Sequence, residues 1–194
     1  MKHLRKFREQ FRSRLAFTIN DVKKVLSKNG ITRDYLYVLI HNLIKKGEIK
    51  RIRNGVYTMA EDMMVVGFAF PPFYYGLQEA LSLRKLWEQE TNPVIITARK
   101  IRSGTRTFLG NNYVIKRIDR KMLFGYEMVR YYDSWIPVSD VEKTLIDFVY
   151  FKQRLPEETV EELRKNIRKD VMVSHLKRVP DWVKKRIVKI LAKP

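Results

Sequence analysis

The chain has 194 residues, 45% of them hydrophobic and 12% aromatic, which is enough apolar material for a real core and argues against wholesale disorder. It contains no cysteine, which excludes disulfides and thiolate metal sites. Its formal net charge is +19, and the excess is segregated: residues 1–59 carry 15 Lys and Arg against 4 acids, residues 60–163 carry 14 against 15, and residues 164–194 carry 11 against 2. Cations gathered at both ends of a chain with a neutral middle are the footprint expected for a phosphate-backbone partner. No apolar run approaches the ~18 residues of a membrane helix. The basic start "MKHLRKFREQFRSRL" lacks the apolar stretch of a secretory signal, so a cytoplasmic protein without a membrane partner is expected.

That start predicts a first helix, with Leu4, Phe7, Phe11 and Leu15 packed beneath it. In "FTINDVKKVLSKNG", Thr18 stands three residues before Asp21, a capping-box pattern. Val22, Val25 and Leu26 give the next helix its stripe, and Asn29-Gly30 is expected to end it. In "ITRDYLYVLIHNLIKKG", Thr32 is the expected cap and Gly47 the stop. Leu36, Leu39, Ile40 and Leu43 share one side of that helix. Asp34, Val38, His41, Asn42 and Lys45 fall opposite, flanked by Arg33, Tyr35 and Tyr37. "GEIKRIRNGVYTM" then reads as two short strands around an Asn54-Gly55 turn, with Lys50, Arg51 and Arg53 on the first.

Helix, turn, helix and hairpin in this order predict a winged helix-turn-helix over residues 1–60. In that arrangement the second helix of the pair enters the major groove and the hairpin lies along the neighbouring backbone. The expected DNA contacts from the helix are Thr32, Arg33, Asp34, Tyr35, Tyr37, Val38, His41, Asn42 and Lys45. Those from the wing are Lys50, Arg51, Arg53 and Asn54. Asn42 suits adenine, Arg33 guanine and Val38 a thymine methyl.

Met59-Ala60-Glu61-Asp62 reads as a linker into a second domain, residues 61–194. A helix is predicted from Phe73 to Gln89. "NPVIITARK" reads as a buried strand, "SGTRTFLGNNYVIKRID" as a hairpin turning at Gly110-Asn111-Asn112, and Gly125–Tyr131 as a further strand. A helix capped by Ser139 follows, then three short helices, two of them begun by Pro156 and Pro180. The expected class is α+β, a sheet of about four strands with helices around it.

"YYGLQEALSLRKLWEQETNPVIITARK" followed by "IPVSDVEKTLIDFVYF", behind a winged helix, resembles the AbiEi family over about residues 15–152. The final element stands here as Val138, Glu142, Lys143, Thr144, Leu145 and Asp147. One departure is Arg84, near where many relatives have a histidine. The resemblance implies an operator-binding repressor of antitoxin type, acting on its own toxin–antitoxin operon, with a nucleotidyltransferase-like toxin encoded nearby. The alternative is a protein-interaction antitoxin whose middle domain masks that toxin directly.

Asp140, Glu142, Lys143 and Asp147 are the one concentrated acid–base cluster. A metal nuclease needs such groups on adjoining strand ends. Here Asp140, Lys143 and Asp147 share a helical face, which predicts intrahelical ion pairing. Glu142 is expected to pair with Arg99 or Arg130. No enzymatic activity, no cofactor and no metal site is expected. Tyr74-Tyr75 and Tyr131-Tyr132 read as core and rim, with base stacking the lesser alternative. In "VKKRIVKILAK", Lys184, Lys185, Arg186 and Lys189 lie opposite Val183, Ile187, Ile190 and Leu191, and are candidates for additional DNA contacts.

Overall fold

A computed structural model describes residues 2–26, 32–89 and 91–192 of the chain. The fold is α+β and divides into two compact units, residues 1–70 with 108–110, and residues 71–107 with 111–194. Among the described residues, no helix is long and apolar enough to cross a membrane.

The first unit runs α1 (Lys2–Phe11), β1 (Phe17–Thr18), α2 (Ile19–Leu26), α3 (Arg33–Lys45), β2 (Lys50–Arg53) and β3 (Val56–Thr58). This is a winged helix-turn-helix, with an antiparallel sheet in the order β1-β3-β2. Phe7 and Phe11 of α1 are buried against Phe17, with ring centroids 5.6 and 4.6 Å from it. Leu4 packs beside them, whereas Leu15 lies beyond the end of α1. The capping box closes reciprocally. Thr18 N donates to Asp21 Oδ2 at 2.7 Å, and Asp21 N donates to Thr18 Oγ1 at 3.2 Å. The expected Asn29-Gly30 cap lies outside the described residues.

Helix α3 begins at Thr32, whose Oγ1 accepts from Tyr35 N at 3.3 Å. It ends in a Schellman motif: Glu48 N donates to Leu43 O at 3.0 Å and Gly47 N to Ile44 O at 2.9 Å, with Gly47 at φ +71°. The unit extends through a 3-10 segment, Met63–Ala69, in which Met64, Val65, Val66 and Ala69 are buried. The division between units therefore falls after Phe70 rather than at the Met59–Asp62 stretch.

The second unit is built on a mixed sheet of six strands, ordered β6-β7-β5-β4-β9-β8, where about four were expected. These are β4 (Phe73–Tyr75), β5 (Val94–Thr97), β6 (Gly104–Phe108), β7 (Asn111–Arg117), β8 (Tyr126–Tyr131) and β9 (Ser134–Ser139). The sequence concealed two of them. Phe73–Tyr75 starts no helix. It pairs antiparallel with Thr97–Ile95 and touches β9 at Tyr75↔Val138, which buries Tyr74 and Tyr75 at the centre of the sheet. The chain leaves β4 through Gly76, where a Cβ would collide with Ile96, and Leu77 at φ +56°. Helix α4 then spans only Gln78–Leu83. β9 carries Pro137, a residue that argues against a strand, but its register with β8 (Met128↔Pro137) is regular. The β6–β7 turn is at Leu109-Gly110, both at positive φ, so Asn111 and Asn112 already belong to β7.

Helix α5 (Val141–Tyr150) packs against β9 and against α4, α6 (Glu157–Asn166), α7 (Lys169–Leu176) and α8 (Asp181–Leu191). Its cap is Asp140, whose Oδ1 accepts from Lys143 N at 2.6 Å. Ser139, the expected cap, stays in β9 with its Oγ 2.7 Å from Thr144 Oγ1. Pro156 and Pro180 occupy the N-cap positions of α6 and α8.

Candidate nucleic-acid interface

The 3.6-residue period of α3 sorts its side chains cleanly. Leu36, Leu39, Ile40 and Leu43 are buried. Thr32, Arg33, Asp34, Tyr35, Tyr37, Val38, His41, Asn42 and Lys45 are exposed, Val38 at 55%. Two flanking aromatics are steadied from within the unit: the Arg33 guanidinium sits over the Tyr37 ring at 5.7 Å, and His3 meets Tyr35 edge-on at 5.9 Å. Interaction with Tyr37 shifts the Arg33 guanidinium upward from its ordinary value. His41, Asn42 and Lys45 make no side-chain hydrogen bond or ion pair with another described residue. Their face is polar, exposed and uncommitted, with one apolar contact point in Val38.

The wing is less uniform than its sequence implied. Gly55, at φ +76°, makes the turn that Asn54-Gly55 predicts. Lys50 pairs with Glu61, Nζ to Oε1 at 2.6 Å, and this pair holds the Glu61 carboxyl below its ordinary value. Arg53 turns back onto its own unit. Its Nε–H donates to the Ala69 carbonyl at 2.7 Å, and its guanidinium lies 5.9 Å from the Phe70 centroid. Arg51 and Asn54 are exposed. Of the expected wing contacts, Arg51 is the cation left to solvent.

In the second unit, Lys184, Lys185, Arg186 and Lys189 are all exposed on α8, with Val183 and Ile187 buried beneath. The Asp140–Asp147 cluster is internal. Lys143 and Asp147 form an ion pair with no solvent exposure on either side chain. Tyr74 completes it, donating to Asp147 Oδ2 at 2.9 Å and accepting from Lys143 Nζ at 2.8 Å. Burial drives the Asp147 carboxyl up, the Lys143 ammonium down and the Tyr74 hydroxyl well up. Asp140 faces His175 instead, Oδ2 to Nε2 at 2.8 Å. Glu142 pairs with neither Arg99 nor Arg130. Its carboxylate accepts from Arg168 N at 2.7 Å, Nε at 3.3 Å and Nη2 at 3.2 Å. Burial pushes that carboxyl up, but the Arg168 hydrogen bonds outweigh it and the net shift is downward. Tyr74 and Tyr75 are core residues with no ring face for a base, whereas Tyr132 is 79% exposed. Among the described residues, no group of three or more His, Asp or Glu converges on a common point as a metal ion requires.

No family model and no curated sequence matches the chain. A solved structure is similar: the crystal structure of the RV2827C protein from Mycobacterium tuberculosis superposes with a TM-score of 0.63 at 13% identity, over 98% of this chain and 76% of that one. At that identity the likeness is one of fold.

Proposed function

We propose that this chain is a sequence-specific double-stranded DNA-binding regulator of the antitoxin type, repressing its own operon. The observation that carries the reading is the solvent face of α3. In a winged helix-turn-helix this element enters the major groove, and here Val38, His41, Asn42 and Lys45 are exposed with no side-chain partner among the described residues. Asparagine and arginine on such a face match the donor–acceptor edges of adenine and guanine. The surplus of cations in residues 1–59 supplies the sequence-independent attraction. The antitoxin assignment rests on the resemblance to the AbiEi family. Binding of the full chain to its own upstream DNA, titrated from about 50 to 200 mM salt, tests the reading, because counterion release makes log affinity fall linearly with log salt. Affinity that does not change with salt, or no preference over scrambled duplex, defeats it.

A second reading, an antitoxin that masks a nucleotidyltransferase-like toxin by direct contact, draws on a different surface. Met128 on β8 and Trp135 on β9 are 54% and 58% exposed, and the β8–β9 register puts both on one face of the sheet. Exposed Trp and Met are typical anchors of protein interfaces. Co-purification with the product of the neighbouring gene, lost on Trp135→Ala, separates this reading from the first.

A further inference from the structure

Helices α5, α6 and α8 and the loop joining α5 to α6 enclose a cleft of about 860 Å³. Its charged lining consists of Lys152, Arg154, Arg164, Arg186 and Lys189 against a single carboxylate, Glu157. Leu145, Phe148 and Val160 form an apolar floor, and Trp182, 46% exposed, stands at the rim. The size is that of a small-molecule site, which takes about 300–1,000 Å³.

Ordinary packing does not account for this lining. Like charges crowded around a concavity repel, and low-dielectric walls concentrate their field. Five cations face one carboxylate, so their charge is not neutralised from within the cleft. Here the one lining acid, Glu157, is 3.8 Å from Arg164. Arg164 is held in place rather than satisfied. Its Nη2 donates to the Ile190 carbonyl at 2.7 Å, while its Nε–H is buried without an acceptor among the described residues.

Lys152 lines the same cleft. It occupies the left-handed position that ends α5, at φ +53°. Lys152 N donates to Val149 O at 3.0 Å and Gln153 N to Phe148 O at 2.9 Å, the two bonds of a Schellman motif. Glycine takes that position without strain, and a lysine there is strained. The strained residue places its ammonium at the cleft, 6.0 Å from the Trp182 ring centroid. Trp182 is in turn stacked on Tyr150, centroids 6.1 Å apart at 21°.

We propose that this cleft binds a small phosphate-bearing ligand of the nucleoside triphosphate class, the five cations taking the phosphate chain and the apolar, aromatic part of the wall taking the base. Phosphate chains are recognised by arginine forks and lysine point charges. Aromatic side chains add base stacking that tolerates any base. The assignment is independent of DNA binding through α3. It divides the α8 cations, because Arg186 and Lys189 line the cleft while Lys184 and Lys185 do not.

The test is calorimetric titration of the full chain with ATP, GTP, sodium tripolyphosphate and adenosine at about 0.15 M salt, where long-range surface charge is screened. Both nucleotides and tripolyphosphate are expected to bind, and adenosine far more weakly. Lys152→Gly removes the ammonium and relieves the backbone, so the protein folds at least as well, yet ATP affinity is expected to fall about tenfold, as loss of one charge-assisted contact implies. The pair Arg186→Gln with Lys189→Gln is expected to lose more. The pair Lys184→Gln with Lys185→Gln removes equal charge from the same helix outside the cleft and is expected to leave ATP affinity unchanged. Absence of ATP binding by the unmodified chain overturns the proposal, as does equal loss in the two glutamine pairs. Stoichiometric displacement of ATP by a short duplex also overturns it, since the phosphates accepted by the cleft would then be those of DNA.

Discussion

Arg53 donates its Nε–H to the Ala69 carbonyl at 2.7 Å, so a cation that the hairpin sequence offers to DNA is spent on fastening the Met63–Ala69 segment to the wing. Its neighbour Arg51 is exposed. The two arginines should therefore respond differently to truncation. Arg51→Ala is expected to weaken operator and scrambled duplex by the same factor and to reduce the salt slope by about one, with no change in urea unfolding. Arg53→Ala is expected to lower stability by about 1–3 kcal/mol, because it leaves a buried carbonyl without its donor. Filter binding and unfolding curves on both proteins decide it. A loss of DNA affinity without a loss of stability in Arg53→Ala would show that the guanidinium leaves Ala69 for phosphate.

What the sequence made legible here was local. The Thr18–Asp21 box, the Leu36–Leu43 stripe and the Asn54-Gly55 turn are each written within a few residues, and the structure reproduces them. What it hid depends on partners far along the chain. Phe73–Tyr75 stands between Pro71-Pro72 and the helical stripe that begins at Leu77, so it reads as the start of that helix, and its strand identity comes from β5 and from Val138. The acceptor of Arg53 is a backbone carbonyl, which no residue type advertises. Glu142 finds Arg168 rather than Arg99 or Arg130, because α7 begins beside α5. The cationic cleft gathers residues between Leu145 and Ile190 from three helices, a convergence that composition alone does not reveal.

Lys143, Asp147 and Tyr74 have no solvent exposure and satisfy one another. Removing one charge strands the other in the core. Asp147→Ala is expected to destabilise by about 3–5 kcal/mol, measured by denaturant unfolding. The triple variant Lys143→Met, Asp147→Leu and Tyr74→Phe is expected to recover most of that loss, since apolar replacement of a whole buried polar set is often neutral, whereas a retained Tyr74 hydroxyl would lose both of its partners. If the triple variant is no more stable than Asp147→Ala, the trio does more than fill the core.

The same burial bears on chemistry. A phosphodiester cannot reach carboxylates with no solvent exposure, so incubation with DNA or RNA and Mg²⁺ or Mn²⁺ is expected to leave both intact. Cleavage that disappears in Glu142→Ala and Asp147→Ala would overturn this.

Glu142 provides a pH signature. Its carboxyl lies below its ordinary value of 4.5 in the folded protein. A depressed carboxyl binds fewer protons folded than unfolded, so its contribution is complete above about pH 4.5 and lost as pH falls through the folded value. Arg168→Ala removes the side-chain donors but leaves Arg168 N in place. It is expected to cost no more than about 1 kcal/mol at neutral pH, because the Arg168 side chain is 60% exposed and solvent screens the pair. The cost should shrink on acidification below the ordinary glutamate range, as Glu142 becomes protonated. A difference between the two proteins that stays constant from neutral pH into that range would assign the stabilisation to the packing of the Arg168 stem rather than to the ion pair.

Asn42 separates reading from mere attraction. It lies on the exposed face of α3, between His41 and the buried Leu43, with no side-chain partner among the described residues. Its loss should leave the fold untouched, because a solvated amide contributes little to stability. If α3 occupies the major groove, the Asn42 amide is positioned to accept from and donate to an adenine edge. A good bidentate contact of that kind is worth about 1–3 kcal/mol of discrimination. Asn42→Ala is therefore expected to weaken operator binding by that amount while binding to scrambled duplex and the salt slope barely change. Arg51→Ala should show the opposite pattern, equal loss on both duplexes with a flatter salt slope. Binding curves for both variants on both duplexes give a direct answer. If Asn42→Ala lowers both duplexes equally and Arg51→Ala alone erases the preference, then the wing reads the sequence and α3 does not.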